Sequence, residues 1–106
     1  MAKFVLAYTG GSSMEGSSPE EQQKVMEEWM NWFGSLGEAV ADGGAPFGPS
    51  STISPDGKVR EGGVAALTGY SIITADSLHE ATSAAKGCPV LSAGGSVDVY
   101  EALPIG

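Results

Sequence analysis

Apolar positions along this chain follow two periods, and the switches between them mark the elements. Lys3 to Tyr8 reads KFVLAY, a β-branched and aromatic run that stops at Thr9-Gly10-Gly11-Ser12-Ser13, where chain-breaking residues take over. This predicts a first strand. Val25, Trp29, Trp32 with Phe33, Leu36 and Val40 then recur at helical spacing, while Glu27, Glu28 and Asn31 fall elsewhere. The helix should start at Ser18-Pro19-Glu20-Glu21, with Ser18 as capping hydroxyl, Pro19 at the first helical position and Glu21 closing a capping box. It should run to about Ala41 and stop at Asp42-Gly43-Gly44. Gly34 and Gly37 each weaken it by roughly 1 kcal/mol relative to Ala, which predicts a close approach of backbone to a neighbouring element.

Residues 45–54 hold two prolines and so cannot form a regular central strand throughout, but Ser51 to Ser54 can pair before the turn at Pro55-Asp56-Gly57. Lys58-Val59-Arg60 is the expected return strand, and Glu61-Gly62-Gly63 predicts a bulge or longer loop before Val64-Ala65-Ala66-Leu67. Gly69 to Thr74 reads as a strand. Asp76-Ser77 with Glu80 caps a second helix whose expected buried side is Leu78, Ala81, Thr82 and Ala85, ended by Gly87 and Pro89. Ser96 to Ala102 is the last strand, with Val97, Val99 and Glu101 on one face and Asp98 with Tyr100 on the other.

The order strand, helix, hairpin, strand, helix, strand predicts an α+β domain. Its antiparallel sheet carries both helices on one face, because right-handed crossovers place them on the same side. The other face is left bare although its strands carry apolar residues in both alternating sets, so a second subunit's sheet is its expected cover. With 106 residues there is room for one domain, residues 1–106, and pairing with a second copy would stabilise so small a core.

Composition narrows the partners. At 42% hydrophobic residues a packed core is expected. The net charge of -8, with Lys3, Lys24, Lys58, Arg60 and Lys86 as its only cations, argues against nucleic acid and anionic membranes as partners. A single cysteine, Cys88, excludes an intramolecular disulfide, and Phe4 to Ala7 is far too short for a leader or a membrane span, so the cytoplasm is the expected location.

Several stretches resemble the YCII-related family: the opening KFVLAYTGG, the helix start Ser18-Pro19-Glu20-Glu21, the segment Leu67-Thr68-Gly69-Tyr70-Ser71-Ile72, and Ala75-Asp76-Ser77 through AKGCPVL to GGSVDV. The resemblance spans nearly the whole chain and is strongest at AKGCP followed by GGSVDVYE. It implies a ferredoxin-like βαββαβ domain with two helices on one face of an antiparallel sheet, paired into a dimeric α/β barrel. Related barrels host monooxygenases, isomerases, lyases and non-enzymatic binders. Some members of the family are proposed to use a His-Asp pair, and this chain departs from that pattern by offering only His79.

Candidate chemistry is sparse. His79 falls roughly 100° around its helix from the buried stripe and reads as a surface residue. Cys88, with no histidine beside it, reads as a small buried hydrophobe. One His and one Cys cannot make a four-ligand zinc site, and Thr9 to Ser13 lacks the lysine of a phosphate-binding loop, so no metal and no cofactor is expected. That loop is a candidate lid.

Aromatic and acidic residues remain. Trp29 and Phe33 fall on the buried stripe and read as core. Tyr8, Asp42, Phe47, Tyr70 and Asp98 are the expected site residues, lining a cleft between sheet and helices that suits a small organic ligand. A homodimeric small-molecule binding domain is the leading reading. The alternative is a lyase, isomerase or hydrolase with Asp98 or Asp42 as base and Tyr8 or Tyr70 as proton donor.

Overall fold

The computed structural model describes residues 2–11, 18–63 and 66–104. Ser12 and Ser13 of the candidate lid, and Val64 and Ala65, which follow the expected bulge or loop at Glu61-Gly62-Gly63, lie outside them. The chain runs through strand β1 (Ala2–Thr9), helix α1 (Pro19–Leu36), a 3-10 turn (Gly37–Ala39), and strands β2 (Val40–Pro46), β3 (Ser51–Ile53), β4 (Val59–Glu61) and β5 (Leu67–Ala75). Helices α2 (Leu78–Ala85) and α3 (Pro89–Ser92) and strand β6 (Ser96–Ala102) complete it.

The fold is α+β, with a four-stranded antiparallel sheet in the order β2-β5-β1-β6 and a separate two-stranded ribbon, β3-β4. The crossover β1-α1-β2 straddles β5, and the crossover from β5 through α2 and α3 to β6 straddles β1. Strand alternation turns Phe4, Leu6 and Tyr8 of β1 and Ile73 and Ala75 of β5 to one side. There they pack with Trp32 of α1, Ala81 and Ala85 of α2, Cys88 and Val90. All three helices therefore sit on one face, and the domain is 19 Å thick along its shortest axis, the depth of two layers.

Local signals account for most helix starts. Ser18 accepts from the Glu21 amide at 3.2 Å with Pro19 behind it, and Ser77 accepts from the Glu80 amide at 3.1 Å while Glu80 takes the Asp76 amide. The helix ends differ from expectation. α1 stops at Leu36 because Gly37 turns to φ 57 and sends its amide back to the Phe33 carbonyl, so Val40 belongs to a strand rather than to the helix. Among the described residues no element approaches Gly34 or Gly37 as expected: a methyl group at either would meet nothing within 4 Å. In α2 the inward stripe is Ala81, Ala84 and Ala85, whereas Leu78 and Thr82 are exposed, Thr82 bonding back to the Leu78 carbonyl at 2.8 Å. Pro89, expected only to end α2, also occupies the first position of the short α3.

The largest departure is β2. Asp42-Gly43-Gly44, expected as a helix stop, lies inside the edge strand of the main sheet. The hairpin expected at Ser51 to Arg60 forms, with the Ser54 amide on the Lys58 carbonyl at 2.8 Å, but as the separate β3-β4 ribbon. Pro46 is tolerated because it ends an edge strand. The six residue steps from Val40 to Pro46 face only four in β5, from Ile73 to Gly69, so β2 carries two extra residues as bulges. Val40 opposes Ile73 and Asp42 opposes Ile72, which moves Asp42 to the sheet face opposite the helices.

Gly44 sits in the second irregular stretch at φ 77, where a Cβ would run into the Tyr70 carbonyl. Gly44→Ala should therefore lower stability by more than about 1 kcal/mol, because strain at positive φ adds to the clash. Gly34→Ala, on an exposed helix position with open space around it, should raise stability by up to about 1 kcal/mol. Urea denaturation of the two variants checks the pair, and equal effects would contradict the assignment of the bulge.

Candidate functional site

The five expected site residues divide between the two sheet faces. Sheet register sets the division: Ala45 opposes Tyr70, Tyr70 opposes Ala7, and Ala7 opposes Asp98, forming one row across all four strands. The neighbouring row is Asp42, Ile72, Val5 and Tyr100. Both rows lie on the face that the described helices leave uncovered, whereas Tyr8 lies on the helix side.

On the uncovered face, three candidates meet. Phe47 follows β2 directly, its amide bonded to the Thr68 carbonyl at 2.9 Å, and its ring stacks on Tyr70 with centroids 5.6 Å apart and planes at 17°. The Tyr70 hydroxyl points at Asp42 Oδ2, a long hydrogen bond of 3.5 Å, while Asp42 Oδ1 accepts from the Gly44 amide at 2.8 Å. The bulge thus holds the carboxylate by one oxygen and leaves the other beside a phenol and a stacked aromatic pair. Asp98 does not join them: it stands on β6, three strand spacings from β2, roughly 14 Å at about 4.8 Å per strand.

Tyr8 has a different task. Its hydroxyl donates to Ser71 Oγ at 2.7 Å, and the Ser71 hydroxyl donates on to the Gly43 carbonyl at 2.8 Å. The ring meets Trp29 edge-on at 5.3 Å, and Trp29 in turn contacts Trp32 and Phe33. Burial pushes the Tyr8 phenol well above its ordinary range, outweighing the Ser71 bond that favours the charged form, and also pushes up the Cys88 thiol nearby. Tyr8 is a buried donor already committed to Ser71, so it does not supply a proton to the opposite face.

Ser71 is the residue that sequence reasoning missed. It is fully buried, and its phase in β5 matches Ile73 and Ala75, so a hydroxyl within that inward set is the signal that a buried partner is required. Among the described residues no buried side-chain nitrogen or oxygen lacks a hydrogen-bond partner.

The space between sheet and helices, the expected cleft, is filled by the core. A broad groove of about 780 Å³ opens instead on the helix layer, between α1 and the turn from α2 to α3, with Glu28, Asn31, Ser35, Lys86 and Ser92 on its walls and Trp32 beneath. None of the five candidates lines it. His79 is exposed on α2. Among the described residues no three His, Cys, Asp or Glu side chains gather where a metal ion could sit, and no described helix is long and apolar enough to cross a membrane. No family model matches the chain, and no curated protein matches it in sequence.

Two measurements follow from the buried chain. Ser71→Ala strands the Tyr8 hydroxyl and should cost about 1–3 kcal/mol. Tyrosine in the unfolded chain ionises at about pH 10, and the folded pKa of Tyr8 is higher, so its contribution is fully present below pH 10 and is lost as pH climbs from there toward the folded value. Urea midpoints taken from about pH 8 to 11 should fall less steeply with pH in Tyr8→Phe than in the parent protein. Identical slopes would show that the phenol is not buried.

Proposed function

We propose that the protein is a ferredoxin-like, YCII-related domain that works as a homodimer and binds a small, flat organic molecule where Asp42, Phe47 and Tyr70 meet. The convergence of a stacked aromatic pair and an exposed carboxylate on an uncovered sheet face carries this reading. Strand order β2-β5-β1-β6 with its two straddling crossovers is consistent with that fold, and so is the family resemblance of the sequence.

Surface area supports the dimer. The chain exposes 7353 Å², whereas a compact monomer of 10.7 kDa should expose roughly 5,500 Å². The excess is on the scale of what each subunit hides in a homodimer interface of roughly 2,000–5,000 Å² in total. The uncovered face offers Val5, Ala7 and Ile72 as a low apolar centre with exposed Tyr100 beside it. Two such faces placed together bring Asp42, Phe47 and Tyr70 to the rim of the interface, where a ligand would be partly enclosed.

The site favours an aromatic ligand bearing an amine or amidine, since the rings stack and the exposed Asp42 carboxylate, whose Oδ2 is held only by the long Tyr70 bond, takes a charged donor. Binding is favoured over catalysis because both candidate bases, Asp42 and Asp98, are exposed, and only Asp42 comes near a phenol. The lyase, isomerase or hydrolase alternative therefore rests on the Asp42-Tyr70 pair alone.

Sedimentation equilibrium should return twice the 10.7 kDa chain mass. A ligand-observed NMR screen should select aromatic amines and amidines over aromatic carboxylates. Asp42→Asn should weaken the selected compounds about tenfold or more, the size of a charged hydrogen bond, and Phe47→Ala should weaken them further. Binding unaffected by both substitutions would remove the site.

A further inference from the structure

The β3-β4 ribbon is a two-stranded sheet of its own, apart from the main sheet. Each strand is three residues long, and the hydrogen bonds that fix it are its own ladder, the Ser54 to Lys58 turn, Asp56 Oδ1 on the Lys58 amide, and Thr52 and the Gly62 amide closing its base. A two-stranded ribbon of this size is marginal in water by itself. Its one large apolar pair, Ile53 opposite Val59, is 70% and 65% exposed. Such a pair on a protruding ribbon gains stability only when something apolar covers it.

We propose that the ribbon is an arm that packs Ile53 and Val59 against the uncovered sheet face of a second copy of this chain, an inference that rests on the homodimer proposed above. Three observations select that occupant. The arm is rooted at Phe47, whose ring already lies on Tyr70, so it is continuous with the uncovered face. That face presents Tyr100, exposed by 60%, as the matching apolar surface. The arm is also electrically neutral, Asp56 and Glu61 balancing Lys58 and Arg60, within a chain of net charge -8. It can therefore approach an acidic copy without adding to the repulsion between subunits. By two-fold symmetry each subunit gives one arm and receives one, closing the assembly at two chains.

Sedimentation equilibrium of the full chain and of the double variant Ile53→Ser with Val59→Ser tests this. The dimer dissociation constant should rise at least about tenfold in the variant. A second measurement leaves the arm's apolar pair intact: a nitroxide on Lys58→Cys in a Cys88→Ala background, mixed with unlabelled ¹⁵N protein. It should broaden amide signals of the unlabelled copy around Tyr100. A parent protein that is dimeric, with neither the tenfold rise nor the intermolecular broadening, would overturn the arm and leave the dimer standing. A monomeric parent protein would overturn the dimer itself. If the double variant does not fold, the broadening decides alone.

Discussion

The hydroxyl chain from Tyr8 through Ser71 to the Gly43 carbonyl ties the edge of the sheet to its core. β2 is an edge strand with two residues too many, and a glycine-rich bulge on an edge would otherwise have little to define its shape. Ser71 reaches it from the buried side and the Asp42 carboxylate closes it on the outer side through the Gly44 amide. Since the extra residue is what turns Asp42 away from the helices, the same chain sets where the acid stands. The core and the candidate site are thus linked through one carbonyl rather than through a shared cavity.

The second constraint is the asymmetry of the sheet. Phe4, Leu6, Tyr8 and Ile73 satisfy one face against three helices, while Val5, Ala7 and Ile72 give the other face an apolar centre with no described helix on it. A two-layer domain of this size has no third layer to spend there. Covering the face with a second copy would also enclose the Phe47-Tyr70 stack, so assembly and ligand binding would draw on the same surface.

Much of the fold was legible because its signals are local. Ser18-Pro19 and Ser77-Glu80 mark their helices through hydrogen bonds made within four residues, and SVDVYEA spans β6 from Ser96 to Ala102 because alternation and flanking glycines agree. β2 was not legible, since VADGGAP has neither period: its pairing depends on β5, about thirty residues away, and on a bulge that a tertiary hydrogen bond from Ser71 helps to hold. The candidate site was half legible for the same reason. Asp42, Phe47 and Tyr70 do come together, but nothing local tells that Tyr8 alternates to the opposite face, or that Asp98 lies two strands beyond Tyr70.

A crystal structure of the untreated protein, taken as it leaves the expression host, bears most directly on the proposal that the uncovered face is both an interface and a binding surface. The expected result is a second copy seated on that face with density for a small molecule against Phe47, Tyr70 and Asp42. A face open to solvent, with the Phe47-Tyr70 stack bare and any ligand in the groove between α1 and α3 instead, would contradict it.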